Sequence, residues 1–215
     1  MVPVIAIGLK EKPSLVGAKP YGAPDDWTEP PATTGGAARN AINALKDGSH
    51  KKDFWYLIFS FFVCGLSTSG LIGTHFIPAA HDHGMGEVLA ASLMALIGVF
   101  DVVGTIASGW LTDRVDPARL LMAYYFLRGA SLLFLDPAMN ASGFGLVGFM
   151  MFYGLDWVAT VPPTIALCID HFGREKGPLV YGWVFAGHQV GGALAAWGAG
   201  WLHDTTGTYR TAFVV

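Results

Sequence analysis

Three ionisable side chains stand deep inside apolar runs of this sequence: Asp101, Arg128 and Asp156. A charge in hydrocarbon costs about 2.5 to 3.5 kcal/mol on insertion scales, so each needs a partner or a water-filled cavity. Asp101 lies about eight residues, and Arg128 about ten, from the same end of their runs. At 1.5 Å per residue both are about 12 to 15 Å deep, which lets them pair. Two chemistries fit. One is a buried ion pair that holds neighbouring helices in register. The other is a site that handles a proton or an anion, with an acid in a cavity cycling its proton during transport.

Asp156, Thr160 and Thr164 recur at i, i+4 and i+8, one polar stripe on an otherwise apolar helix that should face the interior of a bundle. Pro162 and Pro163 follow in the same run and free the carbonyls of Val158 and Ala159, which reads either as a structural kink or as a helix break beside a binding site. His75 with Ser67, Thr68, Ser69 and Thr74, and His188 with Gln189, either line a pathway or bond across helices. Gly192, Ala196 and Gly200 form a small-residue packing ridge. His81, Asp82 and His83 have the spacing of metal ligands but lack further ligands nearby in sequence, so no metal and no cofactor is expected. No nucleophile stands beside a base, so no catalytic residue is assigned and the chain is not read as an enzyme.

The elements that must position these groups follow from composition. Of 215 residues, 53% are hydrophobic and only 13% charged, and the mean hydropathy is +0.45. Such a chain has too little polar surface for a water-facing exterior, whereas helices packed in lipid tolerate it. The net charge of −3 provides no basic footprint, which argues against nucleic acid as a partner. Cys64 and Cys168 lie in apolar runs and read as buried small side chains.

Residues 1–53 are rich in Pro and Gly and hold seven of the thirteen Lys and Arg, the composition of a solvated linker. No cleavable signal is visible, and the apolar opening from Val2 to Leu9 looks like the tail of a preceding helix. From residue 54 the pattern changes to runs of roughly 20 apolar residues, each enough to cross a bilayer. Five complete spans are expected, over 54–79, 87–112, 118–136, 143–170 and 178–202, with the start of a further span at 209–215. The fold class is therefore an all-α membrane bundle. Basic residues set its orientation. The linker, the 113–117 break with Arg114 and Arg119 nearby, and the 171–177 break with Arg174 and Lys176 fall on one side, which places the N-terminal loop in the cytoplasm. The breaks at 80–86 and 137–142 carry no Lys or Arg.

GWLTDRVDPARLL, with Gly109, Asp113, Arg114 and Arg119, is similar to the cytoplasmic gating-loop signature of the major facilitator superfamily. HDTTGTYRTAF resembles the D-x-T-G-x-Y-x-x-A-F element of the monocarboxylate-transporter-like branch, and KEKPSLVGAKPYG looks like the segment leaving the sixth helix. The resemblance implies the C-terminal six-helix half of a twelve-helix transporter, with residues 1–53 as the central loop and a missing N-terminal six-helix half as partner. Carboxylate-carrying relatives have an aspartate followed four residues later by an arginine. Asp101 matches the first, but Thr105 occupies the second position, so this helix lacks the carboxylate-binding cation unless Arg128 supplies it.

The expected function is thus secondary active transport of a small organic solute, a monocarboxylate by proton symport, through alternating access in the inner or plasma membrane. An intramembrane enzyme and a half-size protein acting as a dimer are the alternatives. The candidate substrate and proton-coupling residues are Asp101, Arg128, Asp156, Thr160, His75, His188 and Gln189.

Overall fold

The computed structural model describes Gly8, residues 13–19, 22–24, 26–28, 36–140 and 144–214. Most of the apolar opening at 2–9, together with Lys10, Lys12 and Val215, lies outside them. The chain divides into two compact units, Met1–Gly36 and Ala37–Val215. In the first, Pro13–Val16 make a single tight helical turn, followed by Gly17 in the left-handed region at φ 68°.

The second unit is built from helices, with no strand among the described residues. Its elements are α1 (Ala37–Ser49), α2 (Lys52–Gly65), a wider π-helical segment (Leu66–Ile72), α3 (Gly73–Asp82), α4 (Glu87–Thr112), α5 (Pro117–Leu133), α6 (Leu135–Asn140), α7 (Phe144–Asp156), α8 (Val161–Thr206) and α9 (Arg210–Val214). Among the described residues three stretches are long and apolar enough to cross a bilayer: Lys52–Asp82, Glu87–Thr112 and Phe144–Thr206. The expected third span corresponds to α5, whose 17 residues are prolonged by α6. The expected fourth span is interrupted, since residues 157–160 form a turn between α7 and α8. The fifth lies within α8, which itself breaks at Gly173 (φ 81°, ψ 163°), a backbone shape open to glycine.

The compact division falls at Gly36 and not at residue 53, because α1 is amphipathic and packs on the bundle. Ala44 is fully buried among Phe54, Phe61 and Val180, and the Trp183 indole donates to Ala41 O at 2.8 Å. Lys176 pairs with Asp47 at 2.6 Å across the same contact.

Two packing relations position the interior. The α2 and π-helical segments lie against α8, and α4 lies against α7. Glycine permits both approaches: a Cβ at Gly65 would overlap the carbonyl oxygen of His188, and one at Gly104 the carbonyl oxygen of Leu155. One apolar cluster gathers Phe76, Ile97, Leu135, Met150 and Tyr153, and a second gathers Phe54, Phe61, Cys64, Cys168 and Val184. Both cysteines are buried free thiols.

Candidate functional site

The prolines that interrupt the fourth apolar run stand at the start of α8, where a missing N–H costs nothing, and the unwound turn precedes them. An unwound turn inside a bundle leaves main-chain polar groups that must be satisfied from elsewhere. Here three other helices supply the partners. From α5, Arg128 donates through Nη2 to Asp156 O at 2.5 Å and to Trp157 O at 3.3 Å. From α4, Asp101 Oδ1 accepts the Val158 N–H at 3.0 Å, and Ser108 Oγ donates to Ala159 O at 2.5 Å. From α2, Cys64 Sγ lies 3.5 Å from Thr160 Oγ1. Of the two carbonyls expected to be freed by the prolines, Ala159 O is the one taken by Ser108, while Val158 O accepts the Val161 N–H within the turn at 2.9 Å.

Arg128 is the centre of this arrangement. It is 2% exposed, and its Nε donates to Asp156 Oδ2 at 2.6 Å while Nη1 reaches Cys64 Sγ at 2.7 Å. The depth argument that matched Arg128 with Asp101 is therefore corrected: the ion pair is Arg128–Asp156, and Asp101 is spent on the turn and on Thr105 Oγ1 at 3.2 Å. Depth along a helix says how far a residue lies from an interface but not which way it faces, and α4 presents Asp101 to the turn.

The pair is neutral as a whole and almost dry, the condition in which its two members attract most strongly and cost most to separate. Arg128 has nearly exhausted its donors. Asp156 has not exhausted its acceptors: Oδ1 is buried and meets no hydrogen-bonding partner among the described residues, and neither does the buried Tyr125 hydroxyl, whose ring lies near the Arg128 guanidinium.

A polar chain leads away from the pair along α2, the π-helical segment and α8. Cys64 Sγ is 4.0 Å from Thr68 Oγ1, which is 3.4 Å from His188 Nε2, and His188 Nδ1 is 3.2 Å from Gln189 Oε1. Thr160 and Thr164 lie fully buried on the inward face of the broken helix. The structure thus brings together Arg128, Asp156, Thr160, His188 and Gln189, with Asp101 on the far side of the turn. His75 is elsewhere, bonded to Ala196 O at 2.8 Å and to the Tyr209 hydroxyl at 3.3 Å. Gly109, Asp113, Arg114 and Arg119 lie where α4 turns into α5, away from the pair. Asp116 caps α5 by accepting from the amides of Ala118 and Arg119.

Cys64 and Ser108 were not singled out as site residues from the sequence. Spacing contained a signal for both: Cys64 and Thr68 are four apart on one helix face, and Ser108 is seven from Asp101 with Gly104 between them. Outside the apolar runs, the Lys176 ammonium beside Asp47 holds that exposed carboxyl below its usual range. Among the described residues no three His, Cys, Asp or Glu side chains gather as a metal site. Asp82 instead bonds His203 at 2.8 Å, and His83 faces Asp136.

A bundle of long apolar helices that seals a charge pair inside a helix break is an integral membrane protein. Residues 9–196 match the family model described as Major Facilitator Superfamily, and the chain belongs to that family. It is similar to monocarboxylate transporter 13 of Bos taurus, with 38% identity over 67% of this chain and 36% of the relative. It is 33% identical to monocarboxylate transporter 12-B of Danio rerio over 86% of this chain and 41% of the relative. An uncharacterized MFS-type transporter, YcxA of Bacillus subtilis, aligns at 27% identity over 97% of this chain and 48% of its own length. The chain is thus monocarboxylate-transporter-like, and it spans less than half the length of each of these relatives.

Proposed function

We propose that this chain forms the C-terminal six-helix half of a secondary active transporter that moves a small organic solute, a monocarboxylate by proton symport, through alternating access. The observation that carries this reading is the Arg128–Asp156 pair clasped across the unwound turn. Arg128 keeps two main-chain carbonyls and Cys64 even when its carboxylate partner is neutralised, so a proton taken up at Asp156 changes the charge of the centre without dismantling it. In a low-dielectric interior an entering carboxylate next to the neutral pair would leave an uncompensated charge, and a co-transported proton removes that penalty. Asp101 is the second candidate proton site, through its hold on Val158 N–H.

Five crossings suit the helix lengths. The stretch Phe144–Thr206 has 63 residues, about 95 Å if continuous, which is room for two crossings of a hydrocarbon layer about 30 Å thick. The break at Gly173 divides it. The charge distribution supports a cytoplasmic N-terminal loop in the inner or plasma membrane, with Asp113, Arg114 and Arg119 at a cytoplasmic gate. The names of the monocarboxylate transporters 12 and 13 support the solute class.

The test is uptake in proteoliposomes under an inward proton gradient, with the chain alone and with an N-terminal six-helix half co-reconstituted. Accumulation of short monocarboxylates is expected only with both halves, abolished by an uncoupler and by Asp156→Asn. Uptake by the chain alone would refute the two-half reading, and gradient-driven accumulation by Asp156→Asn would refute the role of Asp156. Loss of a substrate-independent hydrolytic activity in Asp101→Asn would favour an enzyme instead.

A further inference from the structure

The unwound turn contains a peptide group with a charged side chain at each pole. The carbonyl oxygen of Trp157 accepts from Arg128 Nη2 at 3.3 Å. The N–H on the other side of the same peptide bond, that of Val158, donates to Asp101 Oδ1 at 3.0 Å. A guanidinium on α5 and a carboxylate on α4 are thus joined through one planar amide, although among the described residues they share no direct hydrogen bond or ion pair. The amide dipole suits both neighbours, since its negative end meets the cation and its positive end the anion.

The two helices grip adjacent parts of the turn. Arg128 holds the carbonyls of Asp156 and Trp157. Asp101 and Ser108, two turns apart on α4, hold Val158 N–H and Ala159 O, and Thr105 between them donates to Asp101 Oδ1 at 3.2 Å. Hydrogen bonds in series polarise one another where water is excluded, so a stronger pull on the Trp157 oxygen makes Val158 N–H a better donor. Asp156 modulates that pull, because its carboxylate shares the same guanidinium through Nε. While Asp156 is ionised it cancels much of the cation's field. Once it is neutral, that field acts undiminished on Trp157 O.

We propose that Asp101 is a positioning residue for the Arg128–Asp156 centre, and that the Trp157–Val158 peptide group carries each change of charge at Asp156 to α4. Neutralising Asp156 tightens the Val158–Asp101 bond, and ionising it again slackens that bond. The proposal rests on the reading of Asp156 as the group that takes up a proton. It lets α4 respond to that event with no proton passing between the helices.

The experiment is nuclear magnetic resonance of the purified chain in detergent micelles at neutral pH, with isotope labels at the tryptophan carbonyl carbons and the valine amide nitrogens. Trp–Val pairs occur twice, at Trp157–Val158 and Trp183–Val184. The labels therefore select those two amides, and Val184, beyond the Gly173 break in α8, is the reference. Val184→Ile tells the two apart. Asp156→Asn is expected to move the Val158 amide proton downfield. Asp101→Asn should move it upfield, with about fivefold faster hydrogen exchange, the step from a charged to a neutral acceptor. Val184 should stay in place in both. Movement of Val158 in the same direction in both variants, or in neither, overturns the proposal, as does unchanged exchange in Asp101→Asn. An equal movement of Val184 marks a general change of packing and also overturns it. Should Asp156→Asn fail to yield a helical, monodisperse sample, Arg128→Met combined with Asp156→Leu decides: with the guanidinium gone the Val158 proton should move upfield, and an unmoved resonance counts against the link. The readout needs no solute and no transport. Gradient-driven uptake by Asp156→Asn would thus refute the role of Asp156 in transport and leave the link standing, whereas a fixed Val158 resonance would refute the link and leave the uptake reading untouched.

Discussion

Arg128→Met should be more harmful on its own than when Asp156→Leu is added to it. Arg128→Met leaves the Asp156 carboxylate without its counter-ion and the carbonyls of Asp156 and Trp157 without their donor. Breaking a buried pair in this way costs about 3 to 5 kcal/mol. Asp156→Leu strands the guanidinium, and the two single variants should differ in a definite order. A stranded carboxylate can discharge by taking up a proton, whereas a guanidinium cannot, so Asp156→Leu should be the more costly. In the double variant no charge remains, and the residual penalty is that of two under-satisfied main-chain carbonyls, about 1 to 3 kcal/mol each, which Arg128→Met carries as well. Because that penalty is common to Arg128→Met and the double variant it cancels from the cycle, and the stranded charges leave a coupling energy of about 3 kcal/mol or more, at the top of what contacting residues show. Denaturant unfolding in mixed micelles, followed by circular dichroism, measures all four corners. Additivity within about 0.5 kcal/mol would refute the premise that the pair shares one dry enclosure.

Two further outcomes test other parts of the structure. Gly65→Ala places a methyl against the His188 carbonyl oxygen and should destabilise the α2–α8 contact by about 1 to 3 kcal/mol. Gly98→Ala meets open space and should be neutral or slightly stabilising, so equal thermal shifts for the two would contradict the packing. At the α1–α8 contact, Lys176 lowers the Asp47 carboxyl, so the pair's contribution is present above the unfolded carboxylate range near about 3.9 and is lost as pH falls through the lower folded value. Lys176→Gln should bring the Asp47 titration, read by carboxyl carbon NMR, back up toward that range. An unmoved titration would show that Lys176 is not the cause.

Much of the helical layout is legible in composition because hydrocarbon demands it: a run of about 20 apolar residues has few soluble alternatives, and the polar breaks near residues 83–86 and 113–116 fall between helices as periodicity suggests. The helix break was legible in part, because proline removes a donor whatever surrounds it, and the unwound residues 157–160 lie immediately before Pro162 and Pro163.

What the linear order of residues determined by itself was which groups are expensive in lipid, namely Asp101, Arg128 and Asp156. Only the tertiary structure decided how that expense is met. Hydropathy measures depth, while pairing depends on azimuth: the direction each helix turns its side chains is set by glycine contacts such as Gly65 on His188 and Gly104 on Leu155, between residues far apart in the chain. For the same reason the boundary of the compact unit lies at Gly36, since the docking of α1 depends on Trp183 and Lys176, more than a hundred residues away.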